Sequence, residues 1–169
     1  TMLPNWNDLE LYNVDLHFHA GTERQPEYSA HDFVRFAAET GRRIVGLTDH
    51  WGRYLGMSQK PLNHYPGTLD GYRAFAADVH AARESYPEVI VLLGPEAGFE
   101  HLRDNSVADA LLIPPADYFL ADCGGGDSGQ TYGDYLIDGM AAAARVRDRY
   151  DCPGFLAHPL RSAINTCVG

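Results

Sequence analysis

The chain has 169 residues, 45% of them hydrophobic, enough to bury a core within one domain spanning 1–169. Its 23 acids against 13 bases give a formal net charge of −10, which argues against a general nucleic-acid or anionic-membrane surface but not against a phosphate substrate met through bound cations. There is no apolar run long enough to span a membrane and no leader-like pattern over Thr1 to Asn13, and the three cysteines form no C-x-x-C pair, so a reducing, cytoplasmic setting is expected.

The first predicted element is a strand over Val14-Asp15-Leu16-His17-Phe18-His19, turning away at Ala20-Gly21. Side chains two apart on a strand share a face, so His17 and His19 point the same way. Two imidazoles delivered together at the end of a strand are a start on a metal site, although such a pair alone is a weak signal. Ser29-Ala30-His31-Asp32 has the form of a capping box with Asp in place of Glu. It opens a helix through Phe33, Phe36 and Ala37 that stops at Gly41. The second strand, Arg43 to His50, ends in Asp49-His50, and an irregular stretch rich in Gly, Pro and Asn follows. Thr68 opens a helix with Leu69, Tyr72, Phe75, Ala76 and Val79 on one face, ending before Pro87.

The third strand, Val89 to Glu96, ends in a carboxylate. A short helix around Val107 to Leu112 is cut off by Pro114-Pro115, and the fourth strand, Ala116 to Cys123, ends in Asp122-Cys123. The glycine-rich 124–129 segment then reads as a mobile loop beside a site. Thr131 opens a third long helix carrying Tyr135, Leu136, Met140, Ala143 and Ala144, and the last strand, Cys152 to Pro159, delivers His158. The alternation predicts a parallel sheet with right-handed crossovers. In such folds the site is built from the C-terminal ends of the strands, and here every predicted strand ends in a metal-competent or acid/base side chain. His31, His64, His80 and His101 lie on helices or loops and read as structural, with His101 and Glu23 as weak substitutes for a ligand. Cys123 reads as a buried thiol. Arg53 is a candidate grip for a substrate phosphate, against its simpler reading as a solvated loop arginine.

Asp-Leu-His-x-His at 15–19, Gly-Leu-Thr-Asp-His at 46–50, Gly-x-Glu at 94–96, Asp-Tyr at 117–118 and Ala-His-Pro at 157–159 resemble the PHP (polymerase and histidinol phosphatase) family. The order and spacing match across nearly the whole chain. The resemblance implies an α/β fold, a distorted (β/α)7 TIM-type barrel, that binds divalent zinc, manganese or iron and hydrolyses phosphoesters. It implies His17, His19, His50, Glu96 and His158 as metal ligands, with Glu96 bridging two ions and Asp15 and Asp49 in support. Glu96, Asp49 and Arg53 are the catalytic candidates.

The departures are specific. Where the family carries a histidine at the end of the fourth strand, this chain reads Ala121-Asp122-Cys123-Gly124. Either Asp122 or Cys123 substitutes, or that metal is absent. The family's later Asp-x-His has no counterpart before Gly169, so the barrel reads as truncated after its fifth strand, with further strands or a second chain expected to complete the sheet. The expected function is hydrolysis of a small-molecule phosphoester by a metal-activated water, with two divalent cations. An amidohydrolase-type metal hydrolase and a degenerate, non-catalytic metal-binding module are the alternatives. The lysine-bridged amidohydrolase subtype is disfavoured because the one lysine, Lys60, follows the second strand.

Overall fold

The computed structural model describes residues 14–20, 27–56, 64–112, 115–123 and 131–158, and for Tyr132 the backbone alone. The expectations placed on Glu23, Lys60, Pro159 and the 124–129 loop lie outside the described residues.

Five strands form one sheet: β1 (Val14–His19), β2 (Ile44–His50), β3 (Ile90–Gly98), β4 (Phe119–Asp122) and β5 (Gly154–Ala157). They lie in chain order, each parallel to its neighbours. The sheet curls into a half-barrel. Parallel neighbours need long crossovers. Short helices make the one from β3 to β4, and three long helices supply the other three: α1 (Ala30–Glu39), α3 (Leu69–Ser85) and α6 (Tyr132–Tyr150). Each begins where a side chain offers the helix an acceptor. Ser29 Oγ accepts from the Asp32 amide at 3.2 Å, while the Asp32 carboxylate accepts from the Ser29 amide at 3.0 Å, so Asp completes the box in place of Glu. Thr68 and Thr131 accept from the amides of Gly71 and Asp134, each at 3.2 Å. Three shorter helices are α2 (Trp51–Tyr54), α4 (Phe99–Arg103) and α5 (Ala108–Leu112). The sequence reading leaves α2 as irregular and does not anticipate α4. Four or five residues are too few to display a helical period.

Period-two alternation divides the sheet into two faces. Val45, Leu47, Val91, Leu93, Ala97, Phe119 and Ala121 face the helices and join Phe33, Val34, Phe75, Val79 and Val146 in the main core. On the concave face Tyr118, Leu120 and Ala157 pack with Leu92 in a smaller one. Cover on both faces is what makes these strands read as nearly continuous apolar runs. Among the described residues no helix is long and apolar enough to cross a membrane.

Gly139 reports how closely α6 seats on α4, since a Cβ there would overlap the Phe99 ring. Helix propensity alone favours Gly→Ala by about 1 kcal/mol, but overpacking costs about 1–3 kcal/mol. Gly139→Ala is therefore expected to lower the stability measured by urea unfolding. Gly133→Ala, whose Cβ would meet only Thr131 Oγ1 at 3.9 Å, should leave it unchanged or raise it by up to about 1 kcal/mol. A Gly139→Ala protein as stable as Gly133→Ala would contradict the close seating.

Candidate metal centre

The aim of the two β1 histidines depends on an irregularity in that strand. Asp15 pairs with Val45, but Phe18 pairs with Leu47, so β1 carries one extra residue in this interval. Such a bulge re-aims the side chains beyond it. Asp15 and Phe18 both lie on the helix side, lining a small hollow with Phe33 and Val45, and His17 and His19 face the concave side. Strict alternation from Asp15 would have sent both imidazoles toward the helices. Asp15 Oδ1 accepts from the His17 amide at 3.1 Å and so fixes the bulge through the backbone.

On β2, Val45, Leu47 and Asp49 face the helices and His50 the concave side. On β3 the concave residues are Gly94 and Glu96, on β4 they are Leu120 and Asp122, and Tyr118, just before β4, lies on the same side. His158 follows Ala157, a concave residue, and in an extended strand would point away. Its backbone instead takes φ +53°, a left-handed turn that costs a non-glycine residue about 1 kcal/mol. This brings its Nε2 to 3.6 Å from Glu96 Oε1.

The result is a carboxylate surrounded by imidazoles. Glu96 is buried, its side chain 0% exposed. Its Oε2 lies 3.0 Å from His19 Nε2, 3.1 Å from His50 Nδ1 and 3.3 Å from His17 Nε2. His17 Nε2 and His19 Nε2 are themselves 3.0 Å apart. His19 stacks on His50 at 4.6 Å between ring centroids, and His17 lies 4.8 Å from His158. Despite these approaches, neither Glu96 oxygen has a partner in hydrogen-bond geometry among the described residues. Orphaned buried carboxylate oxygens are rare and call for a reason.

A cation held between these atoms would supply that reason. Zinc–nitrogen bonds of about 2.0–2.1 Å in a tetrahedron set neighbouring ligand atoms about 3.3 Å apart, and the separations here run from 3.0 to 3.6 Å. The donors fall into two sets, His17–His19–Glu96 and His50–Glu96–Asp122, each with its ligand atoms within 4.8 Å of one another. Glu96 is common to both. Neutral imidazole with carboxylate suits zinc, manganese or iron.

The structure therefore brings His17, His19, His50, Glu96 and His158 together. Asp122, left open against Cys123 by the sequence, joins them. Cys123 lies on the helix side, fully buried, and burial pushes its thiol up to about 11. Asp49 and Arg53 are brought together elsewhere. Asp49 is 0% exposed and accepts from Arg53 Nη1 at 2.7 Å, Tyr54 Oη at 2.6 Å and the His50 amide at 2.8 Å. The Arg53 guanidinium is thus engaged on the helix side of β2 and only 11% exposed, unlike the solvated arginine of the simpler sequence reading. His101 is buried in α4 beside Ser106 Oγ at 3.0 Å, outside both donor sets. His31, His64 and His80 lie against Tyr86, Tyr65 and Arg83, also outside them. Comparisons with family profiles, with curated proteins and with solved structures each found no match to this chain.

Without a cation, Glu96 and His17 bias each other's protonation. Burial alone would push Glu96 up, but the close imidazoles of His17 and His19 and the charge of His50 outweigh it and hold the carboxyl well below its usual range. Contact with Glu96 raises His17 above its usual value, against the opposing effect of burial. The Glu96 contribution to stability is present above its ordinary value of 4.5 and is lost as pH falls through the lowered one. The His17 contribution is present below its ordinary value of 6.5 and is lost as pH rises through the raised one. In chelator, wild type should therefore exceed Glu96→Gln in melting temperature most between pH 4.5 and 6.5, with the gap narrowing on either side. A gap that does not vary with pH would show that Glu96 is not paired with His17.

Proposed function

We propose that the chain is a PHP-like, metal-dependent phosphoester hydrolase in which the two donor sets each hold a divalent cation and Glu96 is shared between them. The observation that carries this reading is the sharing itself. A single buried carboxylate belongs to both sets: its Oε2 is approached by His17 and His19 of one set and His50 of the other, and its Oε1 by His158, none in hydrogen-bond geometry. When bound, paired cations supply Lewis-acid charge that steadies an anionic phosphoryl transition state and acidifies water beside it.

The residues have separable parts in this. Glu96 would offer its carboxylate to both cations and offset part of their mutual repulsion. His17 and His19, about one quarter exposed, form the inner wall. His50 and His158, with side chains 51% and 36% exposed, stand at the open side, where substrate approaches. Charge counting favours a phosphate over a neutral amide. Two divalent cations (+4) with Glu96 and Asp122 (−2) and neutral imidazoles leave about +2, matched by the charge of about −1.5 to −2 on a phosphomonoester at neutral pH. The scissile amide of an amidohydrolase substrate carries no such charge.

Elemental analysis of purified protein should find close to two transition-metal ions per chain. Against a panel of phosphomonoesters and phosphodiesters with Mn²⁺, Zn²⁺ or Fe²⁺, His17→Ala should lose more than about 100-fold in kcat/KM, since even groups that merely support a ligand are worth about 10–100-fold. Chelation should abolish wild-type turnover and added metal should restore it. Equal rates for wild type and His17→Ala, or no metal taken up, would overturn the reading.

A further inference from the structure

We propose that Tyr118 is a positioning residue for the His17–His19 pair: reaching across the concave face from the position just before β4, its hydroxyl holds the β1 bulge in the register that aims both imidazoles at Glu96. The consequence for metal binding rests on the metal-centre reading above; the hold on β1 does not.

Tyr118 is 2% exposed, and its Oη donates to the Leu16 carbonyl oxygen at 2.6 Å. The two residues are not on neighbouring strands, because β2 and β3 lie between β4 and β1. Strands sit about 4.8 Å apart, so on a flat sheet the gap would be roughly 14 Å. The bond exists because the sheet curls. Leu16 sits within the irregular interval of β1, between the pairs Asp15–Val45 and Phe18–Leu47. A bulge locally disrupts the ladder, and a buried carbonyl without a donor costs about 1–3 kcal/mol. Tyr118 brings a donor to that point. Burial raises its phenol well above the ordinary value, so the proton stays on the oxygen at any working pH.

Two glycines make room for this reach. A Cβ at Gly94 would overlap the Tyr118 ring, and a Cβ at Gly46 would overlap its hydroxyl and lie 2.9 Å from the Leu16 Cα and carbonyl oxygen. Neither glycine has the positive φ found at Gly41 and Gly56. Their backbones do not demand glycine; the tyrosine does, as expected where glycine in a strand marks a close approach. Phe155 backs the ring at 6.0 Å between centroids. Tyr118 thus lies as a crossbar one layer beneath Glu96, from just before β4 over notches in β3 and β2 to the bulge of β1.

The test compares Tyr118→Phe with Tyr72→Phe. Each removes one buried tyrosine-to-carbonyl hydrogen bond, the second being Tyr72 to Ala110 at 3.0 Å in the main core. Two readouts are taken: amide hydrogen exchange over 14–20 in metal-free protein, and Co²⁺ affinity by visible absorption. Tyr118→Phe should speed exchange over 14–20 and weaken the tighter cobalt site about 10- to 100-fold. Tyr72→Phe should lower the melting temperature by a comparable amount while cobalt affinity stays within about 2-fold. Gly94→Ala, which displaces the ring, should reproduce the Tyr118→Phe pattern. Exchange over 14–20 unchanged in Tyr118→Phe, or an equal cobalt loss in Tyr72→Phe, overturns the proposal. Wild-type protein that takes up no cobalt defeats the metal-centre reading alone, and the exchange comparison then decides the role of Tyr118.

Discussion

Glu96 is an ionised group set where water does not reach it, and the rest of the concave face is arranged around that constraint. An uncompensated buried carboxylate costs several kcal/mol. Four imidazole nitrogens within 3.0 to 3.6 Å offset this, whether they carry protons or face a cation. The compensation requires four histidines, from β1, β2 and the end of β5, to converge on one side chain of β3. Regular strand geometry delivers only part of this. His50 arrives by simple alternation. His17 and His19 need the extra residue in β1, and His158 needs a left-handed backbone. Local irregularity of this kind persists only where the surroundings over-determine it, and here Asp15 and Tyr118 each hold the β1 bulge from a different side.

The two faces of the sheet carry different electrostatic tasks. On the concave side the carboxylates of Glu96 and Asp122 stand among imidazoles at the open end of the half-barrel. On the helix side Asp49 is fully satisfied by Arg53, Tyr54 and the His50 amide. Because Asp49 and His50 are adjacent, the buried Asp49 network fixes the backbone from which the His50 imidazole projects. Asp117 acts similarly at the start of β4. It accepts from the Leu93 amide at 2.7 Å and pairs with Arg83, setting the register from which Tyr118 and Asp122 point inward. Adjacent residues thus divide the labour: one is anchored among the helices, and the next is presented to the site.

Much of this was legible in the sequence. The long helices announced themselves through Ser29, Thr68 and Thr131, because capping is a local interaction between a side chain and amides two or three residues on. The strands showed as apolar runs because both faces are covered, and their polar terminal residues marked the open end. Other features were not legible, for physical reasons. A bulge is defined against a partner strand, so nothing within 14–19 reveals it. The choice between Asp122 and Cys123 is a matter of parity, readable only once Phe119 and Ala121 are known to face the helices. Arg53 sits one helical turn from Asp49, and its pairing there could have been anticipated from the i,i+4 spacing had the 51–54 segment been recognised as a helical turn. Nothing in the strands themselves shows why residues 46 and 94 are glycine until the ring that crosses them is seen.

The central claim is that one carboxylate joins two cation-binding groups. Electron paramagnetic resonance of wild-type protein loaded with two equivalents of Mn²⁺ tests it most directly, because ions bridged at about 3.5–4 Å are exchange-coupled and ions bound independently are not. The account predicts a coupled multiline spectrum in wild type that gives way to isolated Mn²⁺ signals in Glu96→Gln. Isolated signals in wild type at full loading would contradict it.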